Sequence, residues 1–277
     1  MNYMEEFLEA KKLDLFMPMW DIINFRTAKL LAIIKNLKNL KVLDLGCGRG
    51  DFSKILAAKN DVYAVDIMDY SKNFKNTNIK FFRCDVSKGL PFKNDFFDVI
   101  LANEVLEHLT NLDLVINEIY RTLKADGKLI ADVPNTTMNI LGDIFGVFGA
   151  TKHIFYSSFE KRLNFYRDTF RLRINFANKG KYKFTKIFYL LFLFIWQMDY
   201  CKKEHIHKHS NNWWKDKFKK FNFDIVREIP SCFLPIFIPL PEIYKPKIYN
   251  FERHNEDKLI VKRLSTTTIF LLKKAVK

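Results

Sequence analysis

Asp44-Leu45-Gly46-Cys47-Gly48-Arg49-Gly50 stands between a short apolar run that begins at Lys41 and a segment with helical spacing over 50 to 59. A strand that ends in a glycine-rich turn and opens a helix presents backbone N–H groups to a ligand, and glycine removes the Cβ that would hold the ligand away. Asp66 closes the next apolar run, at the distance where a carboxylate accepts hydrogen bonds from both hydroxyls of a ribose. These two features mark a nucleotide-type site without separating NAD from S-adenosylmethionine. A dinucleotide turn reads G-x-G-x-x-G, whereas here the glycines fall at 46, 48 and 50, with Asp44 two residues before the first. That spacing and that acid point away from a pyrophosphate.

Outward from the turn, apolar runs at 41 to 46, 61 to 66, 79 to 84, 97 to 102 and 127 to 133 read as strands, and 50 to 59, 69 to 75 and 112 to 124 read as helices between them. Val62-Tyr63-Ala64-Val65 and Val99-Ile100-Leu101-Ala102 are continuously apolar, as parallel strands covered on both faces require. The succession predicts a doubly wound α/β sheet. Residues 1 to 40 read as helices packing on this core. After Pro134-Asn135 the alternation stops, and 136 to 210 read as a helical cap or substrate insertion, with helices at Ser158 to Phe176 and Phe184 to Tyr200. The core is expected to close over 211 to 277 with a helix at Asn211 to Phe221 and strands at Phe223 to Ile229 and Thr266 to Lys273. Five prolines between 230 and 246 predict extended, irregular chain from Pro230 to Ser265.

Several matched segments resemble the class I S-adenosylmethionine-dependent methyltransferases, in particular the ubiquinone-biosynthesis-like group. Val42 to Gly50 is similar to the first motif, which implies that Asp44, Gly46, Gly48 and Gly50 surround the methionine end of the cofactor. Asp66 in Val65-Asp66-Ile67 matches the ribose-binding acid, and Asp85 in Arg83-Cys84-Asp85-Val86 matches the acid that contacts the adenine amino group. Phe97 to Leu109 resembles the fourth strand and the E-V-L-E-H-L helix entry, with Asn103 at the strand end. Leu123 to Ile130 resembles L-K-P-G-G-x-L, with Ala125 and Asp126 in place of Pro and Gly. The resemblance implies a mostly parallel, seven-stranded Rossmann-like methyltransferase fold whose last strand is antiparallel. It implies S-adenosylmethionine as cofactor, with Ile67 and Val86 beside the two binding acids.

Methyl transfer is an in-line displacement that needs alignment and exclusion of water, and no metal. An oxygen acceptor must lose a proton, which suits a histidine. His108, after Glu107, and His153, in Lys152-His153-Ile154-Phe155-Tyr156, are the candidates. His205-Ile206-His207-Lys208-His209 has alternate spacing but no acid or thiol in register for a metal.

Charge divides the 277-residue chain. Residues 1 to 135 hold 19 Lys and Arg and 19 Asp and Glu, and residues 136 to 277 hold 27 and 12, so the net charge of +15 lies wholly in the second half. A basic second half suits a small anionic or carrier-linked acceptor (sugar nucleotide, glycolipid or quinone precursor) at an anionic membrane surface, with Ile187 to Met198 as an apolar segment between lysines. It also suits nucleic acid, with Trp213-Trp214-Lys215 as interleaved aromatics, although Asn103-Glu104-Val105-Leu106 lacks the N-P-P-Y pattern of base-amino methylation. A solvated basic face and a cofactor-binding protein without catalysis are the further readings. Four cysteines without C-x-x-C spacing and an acidic N-terminus predict a reducing cytoplasm, with peripheral contact at the inner membrane surface.

Overall fold

In the computed structural model, residues 21–135, 210–231, 245–265 and 267–275 are described. The elements are α1 (Asp21–Ile34), β1 (Lys41–Leu45), α2 (Asp51–Ala57), β2 (Asp61–Asp66), β3 (Lys80–Arg83), β4 (Phe97–Asn103), α3 (Leu112–Thr122), β5 (Leu123–Pro134), α4 (Asn211–Lys220), β6 (Phe223–Ser231), α5 (Lys245–His254), α6 (Leu259–Leu264) and β7 (Thr267–Lys274). The strands form one sheet in the order β3-β2-β1-β4-β5-β7-β6. β1 pairs in parallel with β2 and β4, and β7 runs antiparallel to both β5 and β6. This is the doubly wound, mostly parallel seven-stranded sheet with an antiparallel last strand.

Alternate residues of the central strands enter two cores. Val42, Val99, Leu101 and Ile130 pack with Leu30, Leu31 and Ile34 of α1 and Leu56 of α2. Leu43, Leu45, Ile100 and Leu129 face the other way, against Val115, Ile116 and Ile119 of α3 and Trp214 and Phe218 of α4. The period of two along a strand therefore explains why its uninterrupted apolar runs were needed. Trp214 is fully buried and stacks on Phe218 at 5.8 Å, so it is a core residue and not an aromatic platform for bases. α1 is tied to the far end of the chain, because Lys29 Nζ donates to the Pro230 carbonyl at 2.6 Å and ion-pairs with buried Glu252 of α5.

Three elements depart from the sequence reading. Residues 69 to 75 make only a 3-10 turn at Ser71–Phe74, because the Asp69 carboxylate accepts the Ser71 N–H at 2.9 Å and Asn76 takes φ 62°. β5 starts at Leu123, where a register shift opposite Phe97 and Val99 admits four more residues before Gly127. The stretch expected to be irregular from Pro230 to Ser265 contains α5 and α6, and β6 continues to Ser231. Pro246 is the second residue of α5, in the first turn, where the missing N–H has no intrahelical partner to lose. The expected helical cap, with Ser158 to Phe176 and Phe184 to Tyr200, lies outside the described residues.

The β1–α2 turn closes with Gly46 at φ +72°, and the amides of Gly46 and Cys47 both donate to the Val65 carbonyl, at 2.9 and 3.0 Å. A Cβ on residue 46 would stand 2.6 Å from Val105 Cγ2. Gly46→Ala therefore combines a left-handed backbone with overpacking, and is expected to lower stability by about 3 kcal/mol in urea unfolding. Val105→Ala in the same chain should recover about half of that loss. No recovery would show that Val105 does not fill the space.

Candidate functional site

The sequence-predicted residues converge on one edge of the sheet, at the C-terminal ends of β1, β2 and β4, where open α/β sheets form their ligand crevice. Gly48 takes φ +52°, and a Cβ added there would meet nothing within 4 Å, so its face is open to a ligand. Asp66 ends β2 and organises two loops: Oδ2 accepts the Gly48 N–H and Oδ1 the Met68 N–H, both at 2.9 Å. Beside it, Ile67 and Met68 are each 60% exposed, an unusual fate for large apolar side chains next to a sheet end. Asp85 opens a 3-10 turn by accepting the Ser87 N–H at 3.1 Å, and its other oxygen lies 3.6 Å from Lys88 Nζ. Val86 is buried in the core. Gly50 caps α2 at φ 83°.

Asp44 lies beneath the turn, 2% exposed, with Oδ2 accepting the Ser53 hydroxyl at 2.5 Å. Burial pushes its carboxyl up to about 6, against the opposing Ser53 hydrogen bond and with help from the Asp66 charge.

At the end of β4 stands a second group that the sequence reading did not assemble. Asn103 pairs in register with Asp132 of β5, on the face that α1 covers. Arg26 of α1 reaches across with Nε 3.0 Å from Asp132 Oδ2 and hydrogen-bonds Glu104. Asp132 is fully buried, and burial, partly offset by Arg26, pushes it up to about 7. Glu107 is held up to about 8 by burial and by the charges of Glu104 and Asp132. Burial acts against ionisation of Glu104 as well, but the Arg26 hydrogen bond and charge bring that half-exposed carboxyl below its ordinary value. Among the described residues, Asn103 Oδ1, Glu107 Oε2 and Asp132 Oδ1 are buried without a hydrogen-bond partner. The signal available in the sequence was Asp132 itself, an acid inside the apolar strand Leu129-Ile130-Ala131-Asp132-Val133; Arg26 gave none.

His108 sits at the rim with its ring 65% exposed, Nε2 3.9 Å from Glu107 Oε1. His153 and the 205 to 209 histidines lie outside the described residues. The opposite edge of the sheet carries an open depression of about 510 Å³ lined by Asn39, Lys41, Asp98 and Lys124. Its polar groups serve the fold: Asp98 accepts the Lys41 N–H at 2.8 Å and pairs with Lys124 at 2.7 Å. Several lysines of the basic second half are likewise matched to acids, with Lys217 and Lys220 on Asp113, Lys215 on Glu228 and Lys274 on Asp95.

Residues 43–131 match the family model described as a methyltransferase domain. An uncharacterized protein of Methanocaldococcus jannaschii is 40% identical over 119 residues, which is 43% of this chain and 52% of that one. The mitochondrial ubiquinone biosynthesis O-methyltransferase of Rattus norvegicus is 31% identical over 124 residues, covering 40% of this chain and 36% of its own. The chain thus spans about half or less of the length of these curated relatives. The solved structure of an S-adenosylmethionine-dependent methyltransferase from Mesorhizobium loti shares the fold, with a TM-score of 0.50 at 11% identity over 89% of this chain and 97% of that one. Over residues 43–131 the chain is thus similar to a methyltransferase domain.

The raised carboxyl of Asp44 sets a sign. A group raised in the fold stabilises it at low pH and loses that contribution as pH rises through the folded value, here from about 4 to about 6. Asp44→Asn keeps an acceptor for Ser53 and removes the buried charge. The variant is expected to be about 1 to 3 kcal/mol more stable than the parent at pH 7 and nearly equal to it at pH 4. A variant less stable than the parent at pH 7 would contradict this.

Proposed function

We propose that this chain transfers the methyl group of S-adenosylmethionine to an oxygen of a small or carrier-linked acceptor, such as a sugar, a glycolipid or a quinone-like ring. The observation that carries the reading is the open face of Gly48 beside the Asp66 carboxylate and the exposed Ile67 and Met68. A nucleoside needs that combination: an acid for ribose hydroxyls, an apolar surface for the base and a backbone that a ligand can approach.

In this reading Asp44, Gly46, Gly48 and Gly50 hold the methionine end, with Asn103 offering its unpartnered amide oxygen at the end of β4. Asp66 holds the ribose, Ile67 covers one face of the adenine, and Asp85 with the Val86 backbone meets the adenine amino group. When bound, the cofactor supplies an electrophilic sulfonium methyl. The residues of this chain bind and orient it, keep water out, and take up the acceptor's proton. His108 lies at this edge, and His153 is the alternative position for that proton. The oxygen acceptor draws support from the rat relative, whose name gives an O-methyltransferase of ubiquinone biosynthesis. The basic second half and the apolar segment Ile187 to Met198 favour an acceptor carried at an anionic membrane surface, with the protein peripheral to it in the cytoplasm. Among the described residues no helix is long and apolar enough to cross a membrane.

Calorimetry with S-adenosylhomocysteine tests the donor site. Asp66→Ala removes the acceptor of the ribose hydroxyls and the anchor of the Gly48 amide, and a loss on the order of 30-fold in affinity is expected. Equal binding by the variant and the parent would overturn the ribose assignment.

A further inference from the structure

The turn that follows β4 gathers three carboxylates against one guanidinium. Arg26 is shared between Glu104 and Asp132. Glu107, whose side chain is only 9% exposed, has an oxygen with no hydrogen-bond partner, and so does the fully buried Asp132. The Asn103 amide oxygen is a third buried acceptor without a donor, independent of the acids. An unsatisfied buried acceptor is costly, and an ionised buried carboxylate without a partner is costlier, so this arrangement is completed by protons or by a ligand that brings positive charge. It borders the proposed donor site directly, because Val105, between Glu104 and Glu107, is the side chain packed on Gly46.

We propose that Glu107, together with Glu104 and Asp132, recognises the positive charge at the sulfur of the methyl donor and thereby distinguishes S-adenosylmethionine from S-adenosylhomocysteine. This rests on the donor-site reading above. Methyl transfer converts a sulfonium to a neutral thioether, so donor and product differ by one unit of charge at the methionine end, next to the turn that carries Glu104 and Glu107. Among the described residues, the charged or titratable groups facing Glu107 are Glu104 on its own turn, Asp132 from β5, Arg26 from α1 and the neighbouring His108 imidazole. Lys29, the next cation of α1, is occupied by Glu252. Burial and the charges of Glu104 and Asp132 push Glu107 up to about 8, against its backbone hydrogen bond and the Arg26 charge. A cationic ligand favours the ionised form, and by reciprocity the ionised form holds the cation more tightly. The preference for donor over product therefore rises with pH, so that loss of the methyl charge weakens the hold on the product.

The test is calorimetry of the full chain with S-adenosylmethionine and S-adenosylhomocysteine at pH 6.5 and 8.5, in the parent, Glu107→Gln and Asp132→Asn. Dividing the parent's affinity ratio by that of Glu107→Gln cancels the ionisation of the ligands' own amino groups. Taken relative to Glu107→Gln, the parent's preference for the donor should rise on the order of tenfold between the two pH values, and that of Asp132→Asn should rise less. If Glu107→Gln does not fold, titration of the free ligands' amino groups supplies the same correction, and the parent's corrected ratio gives the sign. Binding of both ligands with a ratio that does not rise with pH overturns this proposal and leaves the donor site standing. Binding of neither overturns both.

Discussion

The Val105 side chain occupies the space that a Cβ on residue 46 would need, and the donor end of the molecule is arranged around that contact. It requires glycine at 46, which in turn permits the left-handed backbone that lets two consecutive amides close on the Val65 carbonyl. The chain then reverses within a few residues and enters α2, so that Gly48 lies over Asp66. The same contact fixes the turn after β4, with Asn103, Glu104 and Glu107, against the glycine loop. One close approach thus couples the end of β1 to the end of β4.

The acids at this edge are placed at a cost. Asp44, Asp132 and Glu107 are all raised by burial, and among the described residues Asp132 and Glu107 each keep an oxygen without a hydrogen-bond partner. A fold under selection for stability alone would replace them with apolar residues or pair them fully. Their placement where three strands end fits the polar ligand site proposed there. Arg26 and Lys29 lie three residues apart on α1, and through them the helix preceding the core reaches both this edge and the far end of the chain, by way of Glu252 and the Pro230 carbonyl.

The sheet was legible from sequence because its period and its punctuation agree. Val62 to Val65 and Val99 to Ala102 are apolar without a break, and only a strand buried on both faces needs that. The candidate donor residues share that punctuation: Asp44, the glycines, Asp66 and Asp85 all lie within a few residues of a strand end. What was not legible depends on contacts between distant segments. Arg26 meets Asp132 across 106 positions of chain, and nothing local announces the pairing. The α5 and α6 helices were masked by a density of prolines whose effect depends on their place in a turn, as Pro246 shows. In the basic second half Lys215, Lys217, Lys220 and Lys274 are matched to acids of the fold, a pairing that composition alone does not announce.

The central claim is that the methyl donor occupies the edge where β1, β2 and β4 end. A titration of the isotope-labelled chain with S-adenosylhomocysteine, followed by backbone amide resonances, tests it most directly. The account predicts the largest shifts at Gly46 to Gly50, Ile67 and Met68, Val86 and Ser87, and Glu104 to Glu107, with Asn39, Lys41, Lys59 and Lys124 at the opposite edge unchanged. Shifts concentrated at that opposite edge, with the glycine turn silent, would contradict it.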